Sequence, residues 1–492
     1  MLVNGLFGLF FLTTPFKPTE FANERCLSDN YYGTYGDTSL FLLSPDSECF
    51  ESLPAAAPPG FIDSGSLSVL EANHQLMYIH KVPVQDNTDS LAQLTEALDR
   101  LNVPHPNSGA SDSQTPFGLG SQDKYSFLHY TGADAIISVP PHLVPHIDKA
   151  LPRSFKAYVI PTEPLSITPV PDEAIHRVKI WLKNLESDKE IASIVSDISI
   201  PQMRNDIRYL TGEDLGSPIL SRHSFSEGAR IAASWLRDRI ENTGARCELR
   251  QFLVGFAPNV ICRYKSLDED AGTVIMSAHY DSRGSFGSVR HPGGDDDGSG
   301  TTAILAIART IARKRIQFKS HVELVLFAGE EQGLLGSRHY SRQSAHPCSK
   351  NFCTETLLGE LRDKGTNVTL MVQSDMLAYH APGEHAQLAF PETIGTPEVA
   401  YLVSNVSSLY SPELELGYTA VCCSDHQSFH ENGFAATQLF ERAGPIADPM
   451  YHNTGDTSDR KGFDFNQLRS IAKVQLATLL HVAGYKIKPE DW

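Results

Sequence analysis

TVIMSAHYD (residues 273–281), GTTAILAIARTIARK (300–314) and HVELVLFAGEE (321–331) decide the fold. The first and third are short, apolar in most positions and rich in β-branched residues. That is how strands buried on both faces of a sheet read. The stretch between them reads as a helix. The alternation continues outward with VTLMVQSD (368–375), PEVAYLVSNVSSL (397–409), ATQLFE (436–441) and FNQLRSIAKVQLATLLHVAGY (465–485). Upstream, SFSEGARIAASWLRDRIENTGA (224–245) is a helix with a serine cap and a glycine stop. Alternating strands and helices predict an α/β fold: a mixed, mostly parallel sheet with helices on both faces. Ligands of such sheets bind outside the carboxyl ends of the strands.

Polar residues stand at those ends. His279 and Asp281 follow the first strand, and Asp295, Asp296 and Asp297 come next. Glu330 and Glu331 follow the strand ending near 328, Asp375 ends the next, and His452 stands late in the chain. Two histidines with several carboxylates and no thiolate make a nitrogen/oxygen donor set of the kind that suits catalytic zinc. Three protein ligands suffice for one catalytic zinc. Five candidates with one bridging carboxylate suffice for two ions about 3.5–4 Å apart. Taken singly the motifs have plainer readings: a solvated glutamate pair at a helix start, or a turn-forming aspartate run.

Six motifs in register, HYDSRGS (279–285), GGDDDGSG (293–300), FAGEEQGLLGS (327–337), QSDM (373–376), CSDHQSFH (423–430) and YHNTGDT (451–457), resemble the di-zinc aminopeptidases of the bacterial leucyl aminopeptidase type, a group that includes secreted fungal aminopeptidases. The resemblance covers about residues 200–490. It implies the zinc exopeptidase fold and two zinc ions per chain. His279 and Asp375 would hold one ion, Glu331 and His452 the other, and Asp296 would bridge them. It further implies Glu330 as general base and acid, and Asp281 as the carboxylate orienting His279. Met376, Phe440 and Tyr451 would line the pocket for the first side chain of the substrate. The implied substrates are peptides with a free amino terminus, the first residue apolar, such as leucine. Glutaminyl cyclases share a similar scaffold with one zinc. A carboxypeptidase or aminoacylase with a similar centre would need a basic residue to hold a substrate carboxylate, and Arg283 or Arg442 would serve. A binding module that kept only the fold would have lost ligands, and none is lost here. His426 and His430 are four apart, but no HExxH surrounds them. His291 reads as a surface histidine.

The remainder of the chain sets the frame. With roughly 150 residues per domain, 492 residues give two to four domains. A hydrophobic share of 41% with 20% charged residues excludes a wholly disordered or coiled-coil chain. Forty-one basic against 59 acidic residues leave a charge of −18, which argues against general nucleic-acid binding. No apolar run reaches the roughly 18–20 residues of a membrane helix, so no stable membrane insertion is expected. The apolar stretch Leu6–Leu12 marks 1–22 as a signal segment, although no basic residues precede it and no small-residue cleavage site follows. A buried amino-terminal segment is the alternative.

Residues 23–200 read as an amino-terminal region. It holds a β-α-β-β-α-β pattern over 74–160 that fits a ferredoxin-like α+β domain, then a connector with one charged helix at 172–187. Such a domain in a protease serves as an inhibitory propeptide, and the catalytic domain is expected to span 201–492. Eight cysteines allow a few bridges. Cys247 with Cys262, across an expected strand pair, and Cys348 with Cys353 are candidates. A bridge between adjacent Cys422 and Cys423 would be strained, so either one bonds elsewhere or both are free. With sequons at Asn367 and Asn405, these features point to a secreted or vacuolar protein, and a monomer is expected.

Overall fold

The computed structural model describes residues 9–14, 25–43, 63–67, 74–85, 91–99, 125–130, 134–166, 168–285, 287–342, 367–421 and 423–489. The chain forms two compact units, Met1–Ile167 and Thr168–Trp492.

The first unit contains two four-stranded sheets. One orders β2-β3-β1-β4, built from β1 (Leu9–Thr14), β2 (Tyr31–Tyr35), β3 (Thr38–Leu43) and β4 (Asp63–Leu67). β1 pairs antiparallel with β3 and with β4, so residues 9–14 of the stretch read as a signal segment form a strand paired on both sides. The other sheet orders β6-β7-β5-β8, from β5 (Gln75–Lys81), β6 (Ser126–Tyr130), β7 (Asp134–Val139) and β8 (Phe155–Val159), every neighbour antiparallel. Helices α1 (Leu91–Asp99) and α2 (Ile147–Ala150) complete the β-α-β-β-α-β order, with the ferredoxin-like strand arrangement. Leu94 and Leu98 of α1 and Ile147 of α2 pack with Met77, Ile79 and Ile137 in its core.

The second unit begins earlier than position 201. Helices α3 (Asp172–Lys183) and α4 (Lys189–Ser196), in the stretch read as a connector, belong to it. Val178, Ile191, Ile194 and Val195 share one core with the strands of the main sheet. Helices α5 (Ile200–Leu210) and α6 (Glu227–Glu241) follow, the latter capped by Ser226, whose hydroxyl accepts from the Ala229 N–H at 3.1 Å.

The main sheet orders β17-β14-β11-β13-β10-β9. Its members are β9 (Arg246–Arg250), β10 (Asn259–Tyr264), β11 (Thr273–His279), β13 (His321–Phe327), β14 (Val368–Ser374) and β17 (Ala436–Leu439). β11, β13, β14 and β17 run parallel, while β10 and β9 are antiparallel additions at one edge. Cys247 of β9 and Cys262 of β10 face each other and form a disulfide. Two small pairs stand apart, β12 (Ile316–Phe318) with β18 (Tyr485–Ile487), and β15 (Gln387–Pro391) with β16 (Glu415–Thr419).

Side-chain alternation along β11 divides the unit into layers. Val274, Met276 and Ala278 face a large core that includes Ile304 and Ile307 of α7 (Gly298–Arg313) and Leu476 and Leu480 of a long terminal helix. Ile275 faces the other side, with Val325, Phe327 and Met371, against α8 (Leu335–Ser341), α9 (Pro397–Tyr410) lying elsewhere in the first core and α10 (His426–Glu431) supplying Phe429. The terminal helix is α11 (Phe465–Ala483). The chain passes from β11 through α7 to β13 on one side, then crosses to β14 on the other. That reversal opens a crevice at the strand ends, where such sheets take ligands.

Candidate metal centre

Strand ends deliver most of the candidate side chains to the crevice. His279 is the last residue of β11, Glu330 and Glu331 follow β13, and Asp375 follows β14. Asp296 immediately precedes Asp297, the N-cap of α7. His452 sits in a turn with φ 54°, a left-handed conformation rare for a residue with a Cβ. Met376 shares that trait with φ 53°.

The structure brings all five expected ligands together as two trios, His279–Asp296–Asp375 and Asp296–Glu331–His452, each able to hold a metal ion, with donor atoms within 4.8 Å of one another. Asp296 belongs to both. Its Oδ1 lies 3.3 Å from His279 Nε2, and its Oδ2 lies 3.2 Å from His452 Nε2. His279 Nε2 is 3.5 Å from Asp375 Oδ1, and His452 Nε2 is 3.1 Å from Glu331 Oε2. Glu330 Oε2 stands 3.9 Å from His279 Nε2.

All six side chains are buried. His279 Nε2, Asp296 Oδ2 and both Glu331 oxygens make no hydrogen bond among the described residues. Burying such groups uncompensated costs several kcal/mol per charge. Divalent cations offset that cost, and imidazole with carboxylate suits zinc, so the donor set fits metal. Burial works against a charged His279, yet Glu330 and Asp375 raise its pKa well above the usual range. Burial likewise opposes ionisation of Asp296, but the two histidines hold its pKa well below the usual range.

A surrounding set of bonds fixes the donors. His279 donates Nδ1–H to the Asp281 carbonyl at 3.2 Å, which turns Nε2 toward the centre, where a cation would take the place of its proton. The Asp281 carboxylate is farther, at 3.5 Å, so the main chain shares the orienting task expected of the carboxylate alone. That carboxylate also accepts from Ser224 Oγ at 2.9 Å and from the amides of Glu330 and Glu331 at 3.4 Å, which ties β11 to the glutamate turn. Arg283 lies 2.9 Å from His452 Nδ1. A guanidinium only donates, so a neutral ring then carries its proton on Nε2, facing Glu331 and Asp296.

The three consecutive aspartates divide the work. Asp295 accepts from the Ala378 amide at 2.8 Å, and Asp296 faces the centre. Asp297 accepts from the amides of Gly300, Met376 and His279 at 2.9, 3.2 and 3.1 Å. Gly300 is required there, because a Cβ would stand 2.6 Å from the Ser374 carbonyl and 2.5 Å from Asp297 Oδ1. Asp456 in turn accepts from the amides of Asp295 and Asp296 at 2.9 and 3.1 Å. The buried guanidinium of Arg222 donates to the carbonyls of Tyr280, Leu210, Pro292 and Gly293 beside this acidic cluster. Burial lowers its pKa to about 10 against the pull of Asp456 and Asp297, so it stays charged at neutral pH.

Ser224 and Arg222 were not identified from the sequence, and Asp297 and Asp456 stood there only as members of their motifs, with no role. The one available signal was charge balance: a buried acidic run calls for a buried cation.

Other expectations fall differently. Tyr451 stacks on His452 with ring centroids 3.7 Å apart, Met376 adjoins Asp375, and Phe440 follows β17. A cavity of about 360 Å³ is lined instead by residues including Tyr379, Pro449, Met450 and Arg460, and by none of those three. His291 is buried, not on the surface, with Nδ1 2.7 Å from Ser221 Oγ. His426 Nε2 donates to the Ile394 carbonyl, and His426 belongs to neither trio. Arg442 is held by both oxygens of Glu384, at 2.8 and 2.7 Å, which leaves it no role as a carboxylate holder. Cys423 is disulfide-bonded, which removes the free-thiol alternative for it. Residue 422 and the Cys348–Cys353 loop lie outside the described residues.

Residues 259–479 match the sequence profile of Peptidase family M28. This segment is an M28 peptidase domain. The chain is therefore a peptidase, zinc-dependent as the family is. It is 25% identical over 312 residues to a probable leucine aminopeptidase of Trichophyton verrucosum, spanning 60% of this chain and 76% of that one. It is equally 25% identical over 322 residues to leucine aminopeptidase 1 of Sclerotinia sclerotiorum, spanning 61% and 75%. Among solved structures, the LapA aminopeptidase of Legionella pneumophila shares the fold of this chain. The TM-score is 0.57 at 16% identity, over 84% of this chain and 99% of that one.

Proposed function

We propose that this M28 peptidase is an aminopeptidase working at a pair of zinc ions. It removes one amino-terminal residue, apolar such as leucine, from peptides. The observation that carries the reading is the double engagement of Asp296, whose two oxygens each face a different histidine across the crevice. His279 and Asp375 would hold one ion, Glu331 and His452 the other. Ligand duty at His452 Nε2 requires the ring proton on Nδ1, so the Arg283 guanidinium would have to release that nitrogen. When bound, the zinc pair supplies Lewis acidity to the scissile carbonyl and to an attacking water.

Glu330 lies between the first half-site and the turn that carries Glu331. Its carboxylate takes the proton of the attacking water and delivers it to the leaving amine. Asp281 steadies this base through the amides of Glu330 and Glu331. Carboxylates around the centre favour a substrate ammonium, which selects chain ends over internal peptide bonds. Tyr451, stacked on His452, and Met376, beside Asp375, place apolar surface next to the ligands, where the first side chain would lie. A secretory compartment accords with the Cys247–Cys262 bridge.

The reading is tested by comparing leucine p-nitroanilide with its N-acetylated form. Hydrolysis of the free amine alone, abolished by a chelator and restored by zinc, is expected. Preference for the acetylated substrate would contradict it.

A further inference from the structure

The SDH segment at 424–426 supplies none of the residues assigned to the centre. Yet Ser424, Asp425 and His426 are fully buried. Alternation explains where this segment leads. On β11, Ile275, Ser277 and His279 lie on one face, and on β14 so do Met371, Gln373 and Asp375. In register, Ile275 is opposite Met371 and Ser277 opposite Gln373. The two strands thus carry an apolar layer, a polar layer and the expected ligands, stacked in that order.

The polar layer is a connected set of bonds. Ser277 Oγ donates to Gln373 Oε1. Gln373 Nε2 donates to Ser424 Oγ at 3.2 Å and to Asp425 Oδ2 at 3.3 Å. The Asp425 oxygen, an acceptor when ionised, fixes which end of the amide points which way. The nitrogen must face the carboxylate, so the oxygen must face the serine. A glutamate here would set carboxylate against carboxylate, and an aliphatic residue would leave Asp425 and Ser277 without this partner. Burying four polar side chains where apolar ones would pack is costly unless their geometry is used. They lie one step beneath His279 and Asp375, and none of them hydrogen-bonds to the Glu331 carboxylate.

We propose that Gln373 is a positioning residue for one half of the metal centre. Clamped by Asp425 and Ser424 on one side and bonded to Ser277 on the other, it sets the spacing of His279 and Asp375. It does so without acting on the Glu331–His452 half. The inference rests on the two-metal reading above and adds to it a division of labour between the halves.

The test is zinc titration of the metal-free full chain by calorimetry, with Gln373→Met placed in two backgrounds. In Glu331→Ala, where the His279–Asp375 half remains, Gln373→Met should weaken zinc binding about 10-fold, as loss of a support behind a ligand does. In Asp375→Ala, where the other half remains, the change should stay within about 2-fold. Ser277→Ala, which removes one bond and little volume, should show the same selectivity at smaller size. Circular dichroism melting of each variant confirms that it folds. Equal weakening in both backgrounds, or none in either, would overturn the inference while leaving the two-metal reading intact. A parent chain that binds no zinc would overturn both.

Discussion

His426 shows how a single residue in this fold reports on pH. Its imidazole is wholly buried, which depresses its pKa to about 3, below the ordinary 6.5. Below pH 6.5 the unfolded chain takes up a proton there that the folded chain refuses. Stability is therefore lost as pH falls from about 6.5 toward 3. Between pH 7.5 and 5 this one group should cost on the order of 2 kcal/mol. In urea titrations at the two pH values, His426→Gln should lose less stability than the parent by about that amount. An identical loss in both would show that the ring is not held neutral.

Residues of this kind separate what a sequence discloses from what it conceals. His279, Glu330, Glu331 and Asp375 were legible because they stand at the ends of strands buried on both faces, where polar side chains need a reason, and Asp296 was legible from the aspartate run and the register of the six motifs. Asp297 and Asp456 were not, because a carboxylate that caps a helix or receives amides resembles any turn residue. Arg222 and His291 were hidden for a related reason. Their burial depends on partners distant along the chain, such as the carbonyls of Tyr280 and Pro292 for the arginine and Ser221 for the histidine.

At the scale of elements, β11, β13 and β14 were readable from apolar runs, and α7 from its length and spacing. The edge was harder. β9, RCELR, shows no clean alternation, and β4, DSGSL, has almost no apolar content. Such strands form because a neighbour offers a ladder, not because their own sequence demands it. At this edge the Cys247–Cys262 bridge closes a separation of 15 residues. Loops of that size are worth about 3 kcal/mol when cross-linked. Replacing both cysteines by serine should lower stability by roughly that much in denaturant. Zinc content should not change, since no expected ligand lies on β9 or β10. Loss of zinc with the bridge would show that the edge supports the centre directly.

For the whole molecule, the compact units divide at Ile167 and Thr168, whereas the sequence suggested a catalytic domain from 201. A charged helix followed by polar residues reads as a connector, because one amphipathic stripe does not say what it packs on. Val178, Ile191, Ile194, Val195 and Ile198 all enter the core of the second unit. At about 1.5–3 kcal/mol each, their removal would cost on the order of 10 kcal/mol. That rivals the whole stability of a domain. A chain beginning at Thr168 should therefore fold and melt cooperatively, and one beginning at Pro201 should not. Folding of both would mean that α3 and α4 are dispensable. The first of these chains also tests the inhibitory role expected of the amino-terminal unit. Activity equal to that of the full chain would remove that role.

Crystals of the full chain grown with zinc, with diffraction recorded on both sides of the zinc absorption edge, test the central claim most directly. The account predicts two anomalous peaks about 3.5–4 Å apart. Asp296 should lie between them, with His279 and Asp375 on one and Glu331 and His452 on the other. A single peak, or peaks away from Asp296, would contradict it.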